Sequence, residues 1–124
     1  MPVNQATLKA TGDIPQVEIV VGFAHFAKYE FFLYDQNGQN PQKFAEGVNS
    51  DTILDIFPLP LPVANLHKRT LFWQAAIASP TGAPNEQFSV LIRVTQDDKV
   101  VGTDTKTGPM SAPLPFGFIR FSVE

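Results

Sequence analysis

The chain has 124 residues, a formal net charge of −3 at pH 7 and no cysteine, and 44% of its residues are hydrophobic. The length fits a single domain over residues 1–124, and the composition excludes a disordered acidic tail, disulfides, thiolate nucleophiles and cysteine zinc sites. The nine Lys and Arg residues are scattered, which argues against nucleic acid as a partner, and no apolar run reaches the roughly 20 residues that cross a bilayer.

The lack of cysteine, together with an N-terminus that has no signal-peptide pattern, favours a cytoplasmic location. A secreted protein whose signal had been removed would have the same two features.

In most of the chain, hydrophobic residues alternate with polar ones at every second position, which is typical of strands with one face in a core. The predicted strands run over about Gln5 to Ala10, Gln16 to Phe23, Tyr29 to Tyr34, Asp51 to Phe57, Thr70 to Ser79, Gln87 to Thr95, Lys99 to Thr105 and Phe116 to Val123.

Two segments between these strands have a different composition. Polar residues and Pro41 predict a loop over Asn37 to Asn49, with at most one short helical turn at Gln42 to Glu46. The three prolines between Pro58 and Pro62 remove backbone donors, so this segment is predicted at a sheet edge or across a face.

Eight strands without strand-helix alternation predict an all-β fold, an antiparallel β-sandwich of about eight strands with immunoglobulin-like architecture. The likeness is one of architecture alone, because the flanking cysteines of immunoglobulin domains are missing. Trp73, the only tryptophan, is predicted to lie between the two sheets.

Several polar residues are candidates for ligand binding. Asp35, Asn37 and Asn40 resemble the start of a calcium loop, but Gly38 stands at the fourth position instead of the sixth, so turn chemistry is the favoured interpretation. Asp97 and Asp98 are adjacent carboxylates at a predicted hairpin tip, where a solvated turn is also favoured.

No catalytic, metal or cofactor site is predicted. The two histidines, His25 and His67, are far apart in sequence, and Asp104 alternates with threonines as an exposed edge strand would. His67 begins a His-Lys-Arg run that is interpreted as a solvated loop, with an acidic partner or a phosphate group as the alternative.

The more informative feature is a set of apolar residues on faces that should contact water: Phe32, Tyr34, Phe72 and Leu91. Monomers rarely leave such a patch bare. Three alternatives could cover it: the segment from Pro58 to Leu66, a second subunit or a stacked ligand.

These observations predict a non-enzymatic binding protein that forms a homo-oligomer through Phe32, Tyr34, Phe72 and Leu91. The alternative is a carbohydrate-binding module or lectin that uses Asp35, Asn37 and Asn40 or Asp97 and Asp98, with or without calcium.

Overall fold

The computed structural model describes residues 4–23, 25–49, 55–79 and 86–124. These residues form nine strands and one short 3₁₀ helix, Val63–Leu66. The strands are β1 (Asn4–Leu8), β2 (Gln16–Val21), β3 (Phe26–Leu33), β4 (Gln42–Asn49), β5 (Asp55–Pro58), β6 (Thr70–Ala78), β7 (Gln87–Gln96), β8 (Lys99–Pro109) and β9 (Phe116–Val123).

The strands form two sheets that pack face to face, as the β-sandwich prediction requires. The larger sheet has the order β1-β9-β6-β3-β4, and the smaller one has the order β5-β2-β7-β8. One pairing departs from the expected antiparallel pattern, because β1 runs parallel to β9. The first and last strands lie side by side, and the whole domain serves as the long connection that a parallel pair needs.

The core lies between the sheets and follows the period of two. In β6, Leu71, Trp73, Ala75 and Ile77 point inward, and the inward residues of β7 face them from the other sheet. Trp73 is fully buried, which confirms its predicted position.

The loop predicted over residues 37–49 is wrong in its second half, because Gln42–Asn49 is strand β4. The strand pairs with β3 at the edge of the larger sheet, with a bulge beside Phe31 and Phe32. Phe44 stacks on Phe31 at a ring distance of 6.1 Å. An edge strand has one solvated face and one free side, so a mostly polar sequence can form it once a neighbour supplies the ladder.

The proline-rich segment lies at an edge, as predicted. In the described part of the chain, β5 pairs with β2 alone and so ends the smaller sheet, and the backbone N–H of Leu59 donates to Pro15. Residues 51–54 of the predicted fourth strand lie outside the described residues. Leu59, Val63 and Leu66 are buried in the core, so the segment closes one end of the sandwich instead of covering the outer aromatic residues.

The expectation of an exposed Asp104 is wrong, because this residue is only 3% exposed. Its Oδ2 accepts a 2.8 Å hydrogen bond from Trp73 Nε1, and its Oδ1 accepts one of 3.1 Å from the side chain of Asn4. The flanking threonines of β8 point outward, and Asp104 lies on the opposite, inward face of the strand.

A second polar contact joins the sheets at the other edge. The Tyr29 hydroxyl on β3 donates to Asp55 Oδ2 on β5, at 2.5 Å. Burial raises the pKa of Tyr29 well above its usual value, and the hydrogen bond to Asp55 and that residue's charge raise it further. Gly47 makes room for this hydroxyl, because a Cβ atom there would lie 2.6 Å from it.

The Trp73–Asp104 contact is testable by a double-mutant cycle with Trp73→Phe and Asp104→Ala. We expect a coupling free energy of about 1.5–3 kcal/mol, the usual range for a hydrogen bond to a charged group. Urea unfolding of the four proteins measures it. The same cycle with Asp13→Ala, at an exposed aspartate, should give a coupling free energy near zero. A coupling near zero for Asp104 as well would contradict a stabilising Trp73–Asp104 hydrogen bond.

The Tyr29–Asp55 contact predicts a stability loss at high pH. The folded state holds the Tyr29 proton above pH 10, where the unfolded chain releases it, so the free energy of unfolding should fall as pH rises past 10, by at most about 1.4 kcal/mol per pH unit. Chemical unfolding between pH 9 and 11.5 measures this slope. Tyr29→Phe should have the shallower slope, and equal slopes in the two proteins would contradict the assignment.

Candidate binding surfaces

Five aromatic rings lie together on the outer face of the larger sheet: Phe32, Tyr34, Phe72, Phe116 and Phe118, here called the outer aromatic cluster. Phe72 is at its centre, with ring centroids 5.7 Å from Phe32, 6.3 Å from Tyr34, 6.4 Å from Phe116 and 5.1 Å from Phe118. The rings contact one another and form a continuous apolar surface.

Strand register explains why these rings meet. Phe32 on β3 pairs with Phe72 on β6, and Phe72 pairs in turn with Phe118 on β9. Directly opposed residues on one face have Cβ atoms only about 5 Å apart, so the three rings form a row across the sheet. Phe116 lies two positions before Phe118 on the same face and is 57% exposed.

The structure brings together three of the four predicted partner-binding residues, namely Phe32, Tyr34 and Phe72. Leu91 does not join them, because it lies on β7 in the smaller sheet. It points outward there, opposite Thr105. The prediction of a single four-residue surface is therefore wrong for Leu91, although its outward orientation was predicted correctly.

Sequence reasoning missed Phe116 and Phe118. The signal was present in the last strand, where Gly117, Ile119 and Phe121 are the inward residues. Once these three residues are assigned to the inward face, the alternation of the strand places both phenylalanines on the outer face.

Charged residues border the outer aromatic cluster and neutralise one another. Lys43 Nζ lies 3.2 Å from Glu30 and 3.0 Å from Glu46, and Gln74 donates to Glu30 at 2.8 Å. The hydrogen bonds from Gln74 and Lys43 lower the pKa of Glu30, and those to Glu46 and Glu30 raise the pKa of Lys43. Lys28, on the same face of β3, also lowers the pKa of Glu30, so this polar border holds two ammonium groups and two carboxylates.

A groove of about 320 Å³ continues the surface along β6. Leu114 and Phe116 form one wall, Lys28 and Glu30 form the other, and Ala76 lies at its base. Leu114 is 67% exposed, so the apolar surface extends past the rings.

The outer face of the smaller sheet differs in character. An ion pair of 2.9 Å joins Arg93 to Glu18, and outward threonines of β8 flank Arg93 and Leu91. The two outer faces of the sandwich are therefore unequal, and the larger sheet carries the apolar one.

The predicted turn chemistry of Asp35 is confirmed. Its Oδ1 accepts hydrogen bonds from the backbone N–H groups of Asn37 and Gln39, and its Oδ2 accepts one from the Asn40 side chain, each at 2.9 Å. These bonds hold the pKa of Asp35 below its usual value. Asp35 and Asn40 also line a cleft of about 550 Å³ beside Arg69.

Asp97 and Asp98 do not join this group. They form the tip of the β7–β8 hairpin, both with positive φ, and Asp97 accepts a hydrogen bond from the backbone N–H of Asp13. The strand order explains the separation, because β4 and β8 lie at opposite edges of the sandwich. The predicted polar residues therefore share one end of the molecule but not one site.

The two histidines have separate structural roles. His67 Nδ1 accepts a hydrogen bond of 2.9 Å from the backbone N–H of Val123. His25, which sequence reasoning left without a role, is buried, and its Nε2 lies 2.6 Å from Glu86. Its Nδ1 has no hydrogen-bond partner in the part of the chain that the structure describes.

In residues 4–23, 25–49, 55–79 and 86–124, no group of three or more His, Cys, Asp or Glu residues is placed to hold a metal ion. Over the same residues, no helix has the length and apolar character needed to cross a membrane. Comparison of the chain with protein-family models, curated proteins and solved structures finds no significant match.

Proposed function

We propose that this protein is a non-enzymatic binding domain that self-associates through the outer face of its larger sheet. The observation that carries the proposal is the outer aromatic cluster, in which five rings contact one another on a surface that the chain's own core does not use. Contiguous apolar patches of several hundred Å² on a soluble domain mark interaction sites.

The size of this face supports a protein partner. Phe116 and Leu114, at 57% and 67% exposure, each offer about 100 Å² on the usual area of large apolar side chains. Phe26 and Val48 lie on the same face at 40% and 61% exposure. With the half-buried rings, the apolar area is on the order of 500 Å² per chain, which is what a specific interface of ~1,000 Å² requires.

The charge pattern supports a second copy of the chain as that partner. Two identical faces bring like charges together unless those charges are already neutralised, and like charges opposed across an interface cost binding free energy. Here Lys43 lies between Glu30 and Glu46, and Lys28 lies near Glu30, so the border facing its own copy would meet two ammonium groups and two carboxylates. Two sheet faces can also pack face to face.

The first experiment measures mass in solution by light scattering and sedimentation at high micromolar concentration. The wild-type protein should run as a dimer or larger, and Phe116→Lys should raise its dissociation constant at least tenfold, because the variant places a charge in the apolar face. Phe116 is mostly exposed, so this variant should keep its unfolding midpoint.

Ile56→Lys is the matched control. Ile56 is 46% exposed and lies outward on the smaller sheet, paired with Glu18, so the same substitution there should leave the oligomer intact. A second variant, Phe32→Ser with Tyr34→Ser, should also release folded monomers. A wild-type protein that is monomeric at high micromolar concentration would contradict self-association.

A further inference from the structure

A second surface, which adjoins the outer aromatic cluster at Lys43 but does not include its rings, carries a separate inference. The cleft of about 550 Å³ lies at the end of the sandwich, between the β3–β4 hairpin and the segment that follows β5. Its volume falls within the roughly 300–1,000 Å³ of small-molecule sites. We infer that this cleft binds a neutral, polyhydroxylated ligand, that is, a saccharide.

The polar part of the cleft is built from planar groups. Asp35, Asn40, Gln42 and Arg69 line it, which places a carboxylate, two amides and a guanidinium around one space. Such groups can bind two neighbouring hydroxyls at once, because each presents two donors or acceptors in one plane. Pairs of neighbouring hydroxyls are what a sugar ring offers.

Three of these four groups are already held in position. Three hydrogen bonds from its own turn fix the Asp35 carboxylate, and one of them also fixes the Asn40 amide. Arg69 Nε donates to the backbone oxygen of Asn65 at 2.8 Å, which orients the guanidinium plane. A ligand would therefore meet a formed site, and little conformational entropy would be lost on binding.

The cleft also has an apolar part. Phe44, Leu61 and Pro60 line it, and Phe44 is supported from beneath by its stacking on Phe31. A saccharide has an apolar face of C–H groups as well as its hydroxyl edge. The cleft offers both kinds of surface to a single ring.

Charge balance favours a neutral ligand over an anion. Asp35 is close enough to Arg69 for the guanidinium to help lower the pKa of the carboxyl, so the cleft already holds an anion beside its cation. Lys43, which also lines the cleft, directs its ammonium to Glu30 and Glu46. A carboxylate or phosphate ligand would have to compete with these three carboxylates.

The test is a titration of the ¹⁵N-labelled protein followed by amide chemical shifts. The probes are glucose, galactose, mannose, N-acetylglucosamine and maltose, each to 50 mM, with sodium acetate as an anionic comparison. At least one saccharide should give saturable shifts centred on Asp35, Asn40 and Gln42. Saccharide shifts centred on the outer aromatic cluster, saturable shifts with acetate alone, or no saturable shifts would each overturn the inference.

Variants locate the binding. Asp35→Asn keeps an acceptor oxygen for the turn and should weaken binding at least tenfold, and Gln42→Ala, at an exposed position, should weaken it at least threefold. Asp97→Asn, at the hairpin on the opposite edge, is the matched control and should bind as the wild type does. Thermal unfolding checks that each variant is folded, and unchanged affinity in folded Asp35→Asn and Gln42→Ala proteins would overturn the assignment to this cleft.

This inference does not rest on self-association. Phe116→Lys should lose the oligomer and keep the saccharide-dependent shifts at Asp35 and Gln42, so the two proposals succeed or fail separately.

Discussion

The hydrogen bond from Trp73 to the buried Asp104 carboxylate is the constraint on which the packing of the two sheets depends. A buried charge is costly without partners, and here the indole of one sheet and the Asn4 amide satisfy it, with Lys106 Nζ at 3.5 Å. Gly117 is required beside it, because a Cβ atom there would lie 1.9 Å from Asp104 Oδ2. A slip of β8 by one residue would turn Asp104 outward and leave the indole unpaired, so the contact fixes the strand's register.

The Tyr29–Asp55 contact repeats this arrangement at the opposite edge of the sandwich. In both places an aromatic donor on the larger sheet meets a carboxylate on an outermost strand of the smaller sheet. Apolar packing is non-directional and tolerates small sliding motions, whereas a hydrogen bond fixes a distance and an angle. Two such bonds at opposite edges therefore set how one sheet lies on the other, and the position of the sheets does not depend on their outer faces.

The fold was largely predictable because alternation is a local signal, and what failed depends on contacts distant in sequence. The inward phases of β3, β6 and β7 follow from the sequence. The polar strand β4 does not, because its ladder is supplied by β3, nor does the burial of Asp104, because its partners lie on β6 and β1. The same limit explains the candidate surface. Phase alone shows that Phe72 and Leu91 both point outward, but the sheet to which each belongs is set by pairings between strands.

The distribution of polar and apolar groups is partly inverted in this domain, and the inversion separates the contacts that stabilise the fold from the proposed binding surface. Carboxylates lie between the sheets, where they position them, while a cluster of phenylalanines lies outside on the same strands that carry the core. In β6, Trp73 points inward to Asp104 and its neighbour Phe72 points outward to Phe118. Because successive residues of a strand face opposite sides, one strand serves the core with one set of residues and the outer surface with the other. The aromatic surface can therefore change in size or composition without altering the contacts that hold the sheets together, which is the property that a binding face needs.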